Sequence, residues 1–190
     1  VVRGRVEGER ITWSSPEAVF RAPGPMFAAP WIAFGLDGEL WVSAIAREAK
    51  HTQIACGSPG GLWRTVPLFA LGEVHWHPSC VQMLPVARGR AIALGFRGDF
   101  PTRTELVARE FDMELKAGEA RAVAPCNVND QLTFQFQAIG DPSRGEAHVA
   151  YLDEGLTTSY AHWKGGRWMI ERGIFRAPSF APQLTLGADG

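Results

Sequence analysis

The sequence predicts an all-β fold, a β-propeller built from four-stranded blades of about 52 residues, because segments recur at commensurate distances. The nine residues at 30–38, from Pro-Trp-Ile to Leu-Asp-Gly, are echoed at 182–190, which is 152 residues later. Gly-Gly-Leu-Trp at 60–63 returns as Gly-Gly-Arg-Trp at 165–168, which is 105 residues later. If the first distance is three steps and the second is two, the step is about 51 to 52 residues throughout. A fixed period of this size is typical of stacked or radially arranged repeats.

Each step has the pattern of four short strands separated by turns. No window of the first full repeat shows a sustained helical period of apolar residues, and Asp37-Gly38 is a strong signal for a tight turn. The predicted strands of this repeat are residues 30–34, 40–45, 53–56 and 63–69. A β-sandwich is the alternative architecture, but it gives no reason for echoes at multiples of one step.

The whole chain, residues 1–190, is interpreted as one propeller domain or a part of one, with about 3.7 blades. The predicted full blades are residues 21–72, 73–124 and 125–175, with a partial blade at 1–20 and the first strand of a further blade in 176–190. The predicted strands are 80–84, 90–96, 104–111 and 120–123 in the second full blade, 132–136, 147–151, 158–162 and 168–171 in the third, and 1–6, 10–13, 17–20 and 183–186 at the two ends.

The two ends of the chain are complementary, since one supplies a first strand and the other supplies strands two to four. Joined, they would close a ring of four blades and leave no exposed sheet edge. The alternative is a larger propeller, of which this chain is a part and which another copy or another chain completes. The chain begins with Val and has no signal peptide, so we expect a processed chain or a piece of something longer.

Composition restricts the partners. The net charge is −1 and the basic residues are scattered, which excludes an electrostatic footprint for nucleic acid. The apolar run at 19–36 contains Arg21 and several prolines, which excludes a membrane span. Cys56, Cys80 and Cys126 lack the spacing of a metal site, and we expect buried free thiols.

Seven tryptophans are many for a chain of 190 residues. Trp13, Trp63 and Trp168 recur at blade period, and we expect them in the core between blades. The others are outside that register, and any that is exposed could stack on a sugar ring, whose apolar face suits an indole. These are Trp31, Trp41, Trp76 and Trp163.

Two sets of segments carry a resemblance to a known family. Residues 12–19 and 58–63 resemble the Asp-box, or bacterial neuraminidase (BNR) repeat, whose pattern is Ser-x-Asp-x-Gly-x-Thr-Trp followed by Ser-x-Pro. The Phe-Arg-Ala-Pro segments at 20–23 and 175–178 resemble the Phe/Tyr-Arg-Ile-Pro motif that opens sialidase propellers. The resemblance implies a sialidase-like β-propeller that recognises carbohydrate, and it favours an extracellular or secreted protein.

In sialidases, three arginines hold the carboxylate of the substrate, which makes Arg21, Arg47 and Arg176 candidate ligand-binding residues. The alternative is that these arginines brace neighbouring blades. The family's acid/base Asp is missing from the loop at 47–51, where Glu48 is the one substitute. For the family's nucleophilic tyrosine, the chain offers Tyr151 and Tyr160, which are also interpretable as core or rim aromatics.

A polar rim is predicted at one mouth of the central channel. His75 and His77 project to the same side of a strand, and Asn127 and Asn129 occupy the matching place in the next repeat. No third metal ligand is visible near the two histidines, so we predict no metal and no cofactor. Such a rim suits a hydroxyl-rich ligand.

Three functions follow from these observations. The first is a carbohydrate-recognising propeller, with or without catalytic activity, whose partner is a glycan or another hydroxyl-rich or acidic ligand. The second is a sialidase-like glycoside hydrolase, or a fragment of one. The third is a structural propeller that binds other proteins.

Overall fold

The computed structural model describes residues 1–2, 4–20, 30–45, 52–58, 60–68, 81–99, 103–127, 136–175 and 182–187. Within these ranges, the regular secondary structure is entirely β and forms fourteen strands, which confirms the all-β fold. In the same part of the chain, no helix has the length and apolar character that crossing a membrane requires.

The strands form one hairpin and three four-stranded antiparallel sheets, in each of which every strand pairs with the next along the chain. The hairpin consists of β1 (Gly4–Glu7) and β2 (Arg10–Trp13). The first sheet consists of β3 (Trp31–Phe34), β4 (Leu40–Ile45), β5 (Thr52–Gly57) and β6 (Trp63–Pro67). The second consists of β7 (Gln82–Ala87), β8 (Arg90–Asp99), β9 (Arg103–Asp112) and β10 (Arg121–Cys126). The third consists of β11 (Phe136–Asp141), β12 (Glu146–Leu152), β13 (Thr158–Lys164) and β14 (Arg167–Phe175).

The four-stranded units follow one another at close to the expected spacing. Their second strands begin at Leu40, Arg90 and Glu146, so the successive steps are 50 and 56 residues. The Asp141 carboxylate accepts hydrogen bonds from Ser143 N and Oγ and fixes the turn between the first two strands of the third unit. Antiparallel pairing from that turn places residues 136–141 opposite residues 146–151, and residues 132–135 of the predicted strand lie outside the described residues.

Strand β7 holds the three sheets together, because it packs against β3 and β4 on one side and against β11 and β12 on the other. Its Gln82 side chain donates to the Phe136 carbonyl (3.4 Å) and accepts from Ala138 N (2.9 Å). Gly140 lies so close to β7 that a Cβ atom there would be 2.1 Å from the Pro85 carbonyl oxygen. The first strands of consecutive sheets are therefore neighbours.

Apolar side chains from facing sheets form two cores, and burial of this surface is the main stabilising contribution. One core lies between the first and second sheets and includes Trp41, Ile54 and Met83. The other lies between the second and third sheets, where Phe96 and Phe136 meet edge to face at 5.0 Å. Both cores place the sheets face to face.

The two predicted end strands are wrong. Residues 17–20 are irregular, because Glu17 is held by other bonds: its backbone bonds to Val1, and its carboxylate accepts from Trp63 Nε1 (2.8 Å) and Gly60 N. Residues 183–186 are also irregular and pair with no strand in the part of the chain that the structure describes. Because residues 21–29, 176–181 and 188–190 lie outside the described residues, the closure of a fourth blade stays a prediction.

The predicted burial of the tryptophans and cysteines is confirmed for some of these residues and wrong for Trp13. The side chain of Trp13 is 64% exposed, so its expected place in a core is wrong, whereas Trp63 and Trp168 are partly buried. Cys56 and Cys126 are buried free thiols, as predicted, and Cys80 lies outside the described residues. Burial, reinforced by the Glu39 carboxylate, raises the pKa of Cys56 to about 11.

Candidate functional site

Most of the candidate site residues that were predicted from the sequence lie outside the described ranges. These are Arg21, Arg47, Glu48, His75, His77, Asn129 and Arg176. Their predicted convergence on a ligand stays a prediction.

Three nominated residues are described, and they do not form one site. Asn127 is partly buried, and its backbone nitrogen donates to the Leu152 carbonyl at 3.0 Å. Tyr151 is 1% exposed in the core between the second and third sheets, and burial raises the pKa of its phenol. Tyr160 pairs with Ala150 on the opposite face of the third sheet. The two tyrosine side chains therefore lie on opposite faces of the third sheet.

A cleft between the second and third sheets is the first candidate site, and we call it the inter-sheet cleft. Its volume is about 440 Å³. The turns β7–β8, β11–β12 and β13–β14 reach it, together with charged side chains from β8, β9 and β10. The lining residues are Val86, Ala87, Arg90, Glu110, Arg121, Gly145, Trp163, Gly165 and Gly166.

Charged side chains on one wall of the inter-sheet cleft face an aromatic residue on the other. Arg90 and Glu110 form an ion pair of 2.5 Å across β8 and β9, and Arg121 is exposed on β10. A second depression of about 290 Å³ is lined partly by the same three residues, which extends the charged surface. Trp163 forms the aromatic part of the opposite wall and is 6% exposed. The arrangement offers donors and acceptors beside an apolar surface.

Two glycines form the turn by which the third sheet borders this cleft. Gly165 and Gly166 connect β13 to β14 with φ values of 59° and 83°, a conformation that suits a two-residue hairpin turn. This turn puts Trp163 and Trp168 opposite each other on the face that packs against the second sheet. The sequence had nominated Trp163 but not the charged residues, because nothing in the spacing of Arg90, Glu110 and Arg121 shows that three strands bring them together.

A second cluster lies on the other face of the third sheet, and we call it the histidine cluster. Glu146 and His148 on β12 lie opposite Lys164 and His162 on β13, and Tyr160 is one step further along. The Glu146 carboxylate is 3.1 Å from His162 Nε2, 3.8 Å from His148 Nε2 and 2.5 Å from Lys164 Nζ. The histidine rings are stacked with their centroids 4.7 Å apart, and Tyr160 Oη is 2.6 Å from His148 Nδ1.

Electrostatics in the histidine cluster favour an ionised carboxylate beside a neutral imidazole. The hydrogen bond from Lys164, helped by that from His162, holds the pKa of Glu146 below its usual range despite burial. Burial, with the nearby His162, lowers the pKa of His148. Burial and the Glu146 charge raise the pKa of Tyr160. The cluster therefore presents one anion, the neutral imidazole of His148 and a phenol.

The sequence contained a signal for this cluster that was not used. His148 and His162 lie seven residues on either side of Gly155, in the turn between two predicted strands. A hairpin centred there pairs the two histidines and brings Glu146, two residues before His148, onto the same face. His75 and His77 are close in sequence on one predicted strand, whereas His148 and His162 come together only across a hairpin.

Comparison with known proteins identifies similar solved structures. The fold resembles that of the BP39L lectin from Burkholderia pseudomallei, with a TM-score of 0.60 and 14% sequence identity. The match covers 86% of this chain and 45% of the lectin chain, so this chain spans less than half the length of that protein. No protein-family model and no curated protein matches the sequence. At this identity, the likeness shows a shared all-β fold.

Proposed function

We propose that this protein binds carbohydrate and that the inter-sheet cleft holds the sugar. The observation that carries the proposal is the cleft itself: Trp163 on one wall faces the Arg90–Glu110 ion pair and Arg121 on the other. The likeness of the fold to that of a lectin supports the same conclusion.

The chemistry of the inter-sheet cleft suits a polyhydroxylated ring. A sugar has an apolar face, for which Ala87 and the accessible edge of Trp163 supply apolar surface. Its hydroxyl groups can donate to the Glu110 carboxylate and accept from the guanidinium of Arg90 or Arg121, and such charge-assisted hydrogen bonds are the stronger kind. The volume of about 440 Å³ is within the range of small-ligand sites.

We also infer that the three sheets are consecutive blades of a β-propeller. This inference is supported by the position of β7, which lies between the first strands of the neighbouring sheets, and by the regular step of the units. In a propeller, a cleft between two sheets lies between two blades, so equivalent clefts can recur around the ring.

The turn at Asp153 supports a relation to Asp-box propellers. The spacing Asp153-x-Gly155-x-Thr157 follows the centre of the family pattern given above. The Asp153 carboxylate accepts hydrogen bonds from Gly155 N (2.9 Å), Thr157 N (3.0 Å) and Thr157 Oγ1 (2.6 Å). Such turns stabilise the fold and carry no activity of their own, so this relation leaves the choice of ligand to the cleft.

Of the two alternative functions, the hydrolase gains no support from the described tyrosines. Tyr151 lies in a core, and Tyr160 is bonded to His148 on the face of the third sheet that points away from the inter-sheet cleft. The pKa values of both phenols are raised, which disfavours the nucleophilic phenolate.

A glycan array tests the proposed function. We expect the fluorescently labelled protein to bind a related set of glycans, and the Glu110→Gln variant to lose that signal. Glu105→Gln is the matched control, because Glu105 forms the same kind of ion pair with Arg97 on the same two strands, away from the cleft lining. Absence of glycan binding by the unaltered protein would contradict the proposal.

A further inference from the structure

We infer that Glu146, His148 and His162 form a binding site for a divalent transition-metal ion, with Zn²⁺ as the best match. This site is separate from the proposed glycan site, because it lies on the face of the third sheet that points away from the inter-sheet cleft.

The distances among the donor atoms suit tetrahedral coordination. The three ligand atoms all lie within 4.8 Å of one another, and Glu146 Oε2 is 3.1 Å from His162 Nε2 and 3.8 Å from His148 Nε2. Ligands at about 2.0–2.1 Å from a tetrahedral zinc ion are about 3.3 Å from each other. Because the two imidazole planes lie within 8° of parallel, at least one ring must turn as the nitrogen atoms close on the ion, so that both lone pairs point at it.

The donor set selects the kind of ion. Two imidazole nitrogens and one carboxylate oxygen suit Zn²⁺ and its transition-metal neighbours, whereas Ca²⁺ and Mg²⁺ prefer sites made of oxygen atoms. Three protein ligands leave a fourth position for water or for an oxygen atom of another molecule. The site is therefore of the open type.

The surroundings hold two of these ligands in place before an ion arrives. Tyr160 Oη, 2.6 Å from His148 Nδ1, bonds the ring nitrogen that faces away from Glu146 and leaves Nε2 directed at the carboxylate. The antiparallel pairing of His148 with His162 keeps both imidazoles next to each other on the same face of the sheet. Such partners of metal-binding histidines fix the tautomer and orient the ring.

Lys164 is the group that competes with the ion. Its ammonium lies 2.5 Å from Glu146 Oε1, while the two histidines approach the other carboxylate oxygen, Oε2. The Lys164 side chain is 60% exposed and can turn outward. An ion bound at Oε2 replaces the proton that His162 Nε2 now donates to that oxygen. Lys164 thus neutralises Glu146 in the absence of the ion and weakens metal binding.

The experiment is a titration of the chelator-treated, dialysed protein with ZnCl2, followed by isothermal calorimetry and by competition with a chromogenic chelator. We expect one high-affinity Zn²⁺ per chain, no displacement by Ca²⁺, and a rise in Tm of about 5–10 °C at a hundredfold excess over Kd. Cobalt bound in place of zinc should show the visible absorption bands of a four-coordinate site.

Four variants locate the site. His148→Gln and His162→Gln should each weaken binding at least tenfold, while Lys164→Met should strengthen it. The double variant His75→Gln, His77→Gln is the matched control and should bind zinc as the unaltered protein does. Circular dichroism and Tm of the metal-free variants verify their folding. The inference is overturned if zinc does not bind stoichiometrically, or if the loss of affinity follows His75 and His77 instead of His148 and His162.

Discussion

Asp153 shows how one side chain organises a turn of the third sheet. Besides its bonds to Gly155 and Thr157, its carboxylate accepts from Ser159 Oγ at 2.7 Å. Burial raises the pKa of Asp153, but these hydrogen bonds outweigh it and hold the pKa below its usual range. A lowered pKa in the folded state means that the carboxylate stabilises the fold in its ionised form.

Asp153→Asn should therefore destabilise the protein by about 1–3 kcal/mol at pH 7. The contribution of Asp153 is full above the unfolded pKa of about 3.9 and is lost as the pH falls through the lower, folded pKa. Urea unfolding at pH 7 and pH 3 measures this dependence, and the gap between the unaltered protein and the variant should narrow at pH 3. Glu154→Gln, which changes the exposed neighbouring carboxylate, is the control. A gap that is the same at both pH values would contradict this role.

The contact between β7 and β11 depends on a position where only glycine fits. A Cβ atom on Gly140 would meet the Pro85 carbonyl oxygen at 2.1 Å, and a backbone atom cannot rotate out of the way as a side chain can. The bonds of Gln82 to Phe136 and Ala138 also fix the two strands in this register.

Gly140→Ala should cost about 1–3 kcal/mol of stability, because it forces β7 and β11 apart. Gly187→Ala is the matched control, because nothing lies within 4 Å of the added methyl group there and its effect should be small. Chemical denaturation of both variants makes the comparison. Equal stability of the two variants would show that the strands do not approach as closely as described.

At the level of strands, the sequence predicted the strand boundaries that tight turns determine. Tight turns such as Asp37-Gly38 limit where strands start, so β4 and β8 begin at the predicted residues Leu40 and Arg90. The histidine cluster and the charged wall of the inter-sheet cleft were not predicted. They arise from pairing across strands and from contact between sheets, and a one-dimensional pattern contains neither.

The prediction of a strand at residues 17–20 was wrong for a related reason. Residues 17–20 have the apolar character of a strand, but Glu17 bonds to Trp63 and Gly60, which are more than 40 residues away. Such a contact depends on the packing of the first sheet, so local propensity did not reveal it.

At the scale of the whole molecule, the edge strand β3 presents two exposed apolar side chains on the face of the first sheet that points away from the second. Ile32 and Phe34 alternate there and are 44% and 68% exposed, while Trp41 points to the opposite face and its core. Exposed apolar residues in a row favour contact with another surface. In a propeller, the natural neighbour of such a face is another blade, which another copy of the chain can supply.

We expect the protein to have a mass in solution above the 20.8 kDa of one chain. Phe34→Ser should shift the assembly toward single chains, because it removes apolar surface from the contact. Leu62→Ser is the matched control, since Leu62 is 87% exposed and lies in the β5–β6 turn. Light scattering after size-exclusion chromatography measures the masses, and a mass of one chain for the unaltered protein would contradict the expectation.

The most direct test of glycan binding in the inter-sheet cleft is calorimetric titration of the protein with the free oligosaccharide that the array selects. We expect saturable binding, at least tenfold weaker affinity for Glu110→Gln, and unchanged affinity for Glu105→Gln, because loss of one charged hydrogen bond costs about 1.5–3 kcal/mol. Equal affinities for the two variants would place the sugar elsewhere and contradict the assignment of this cleft.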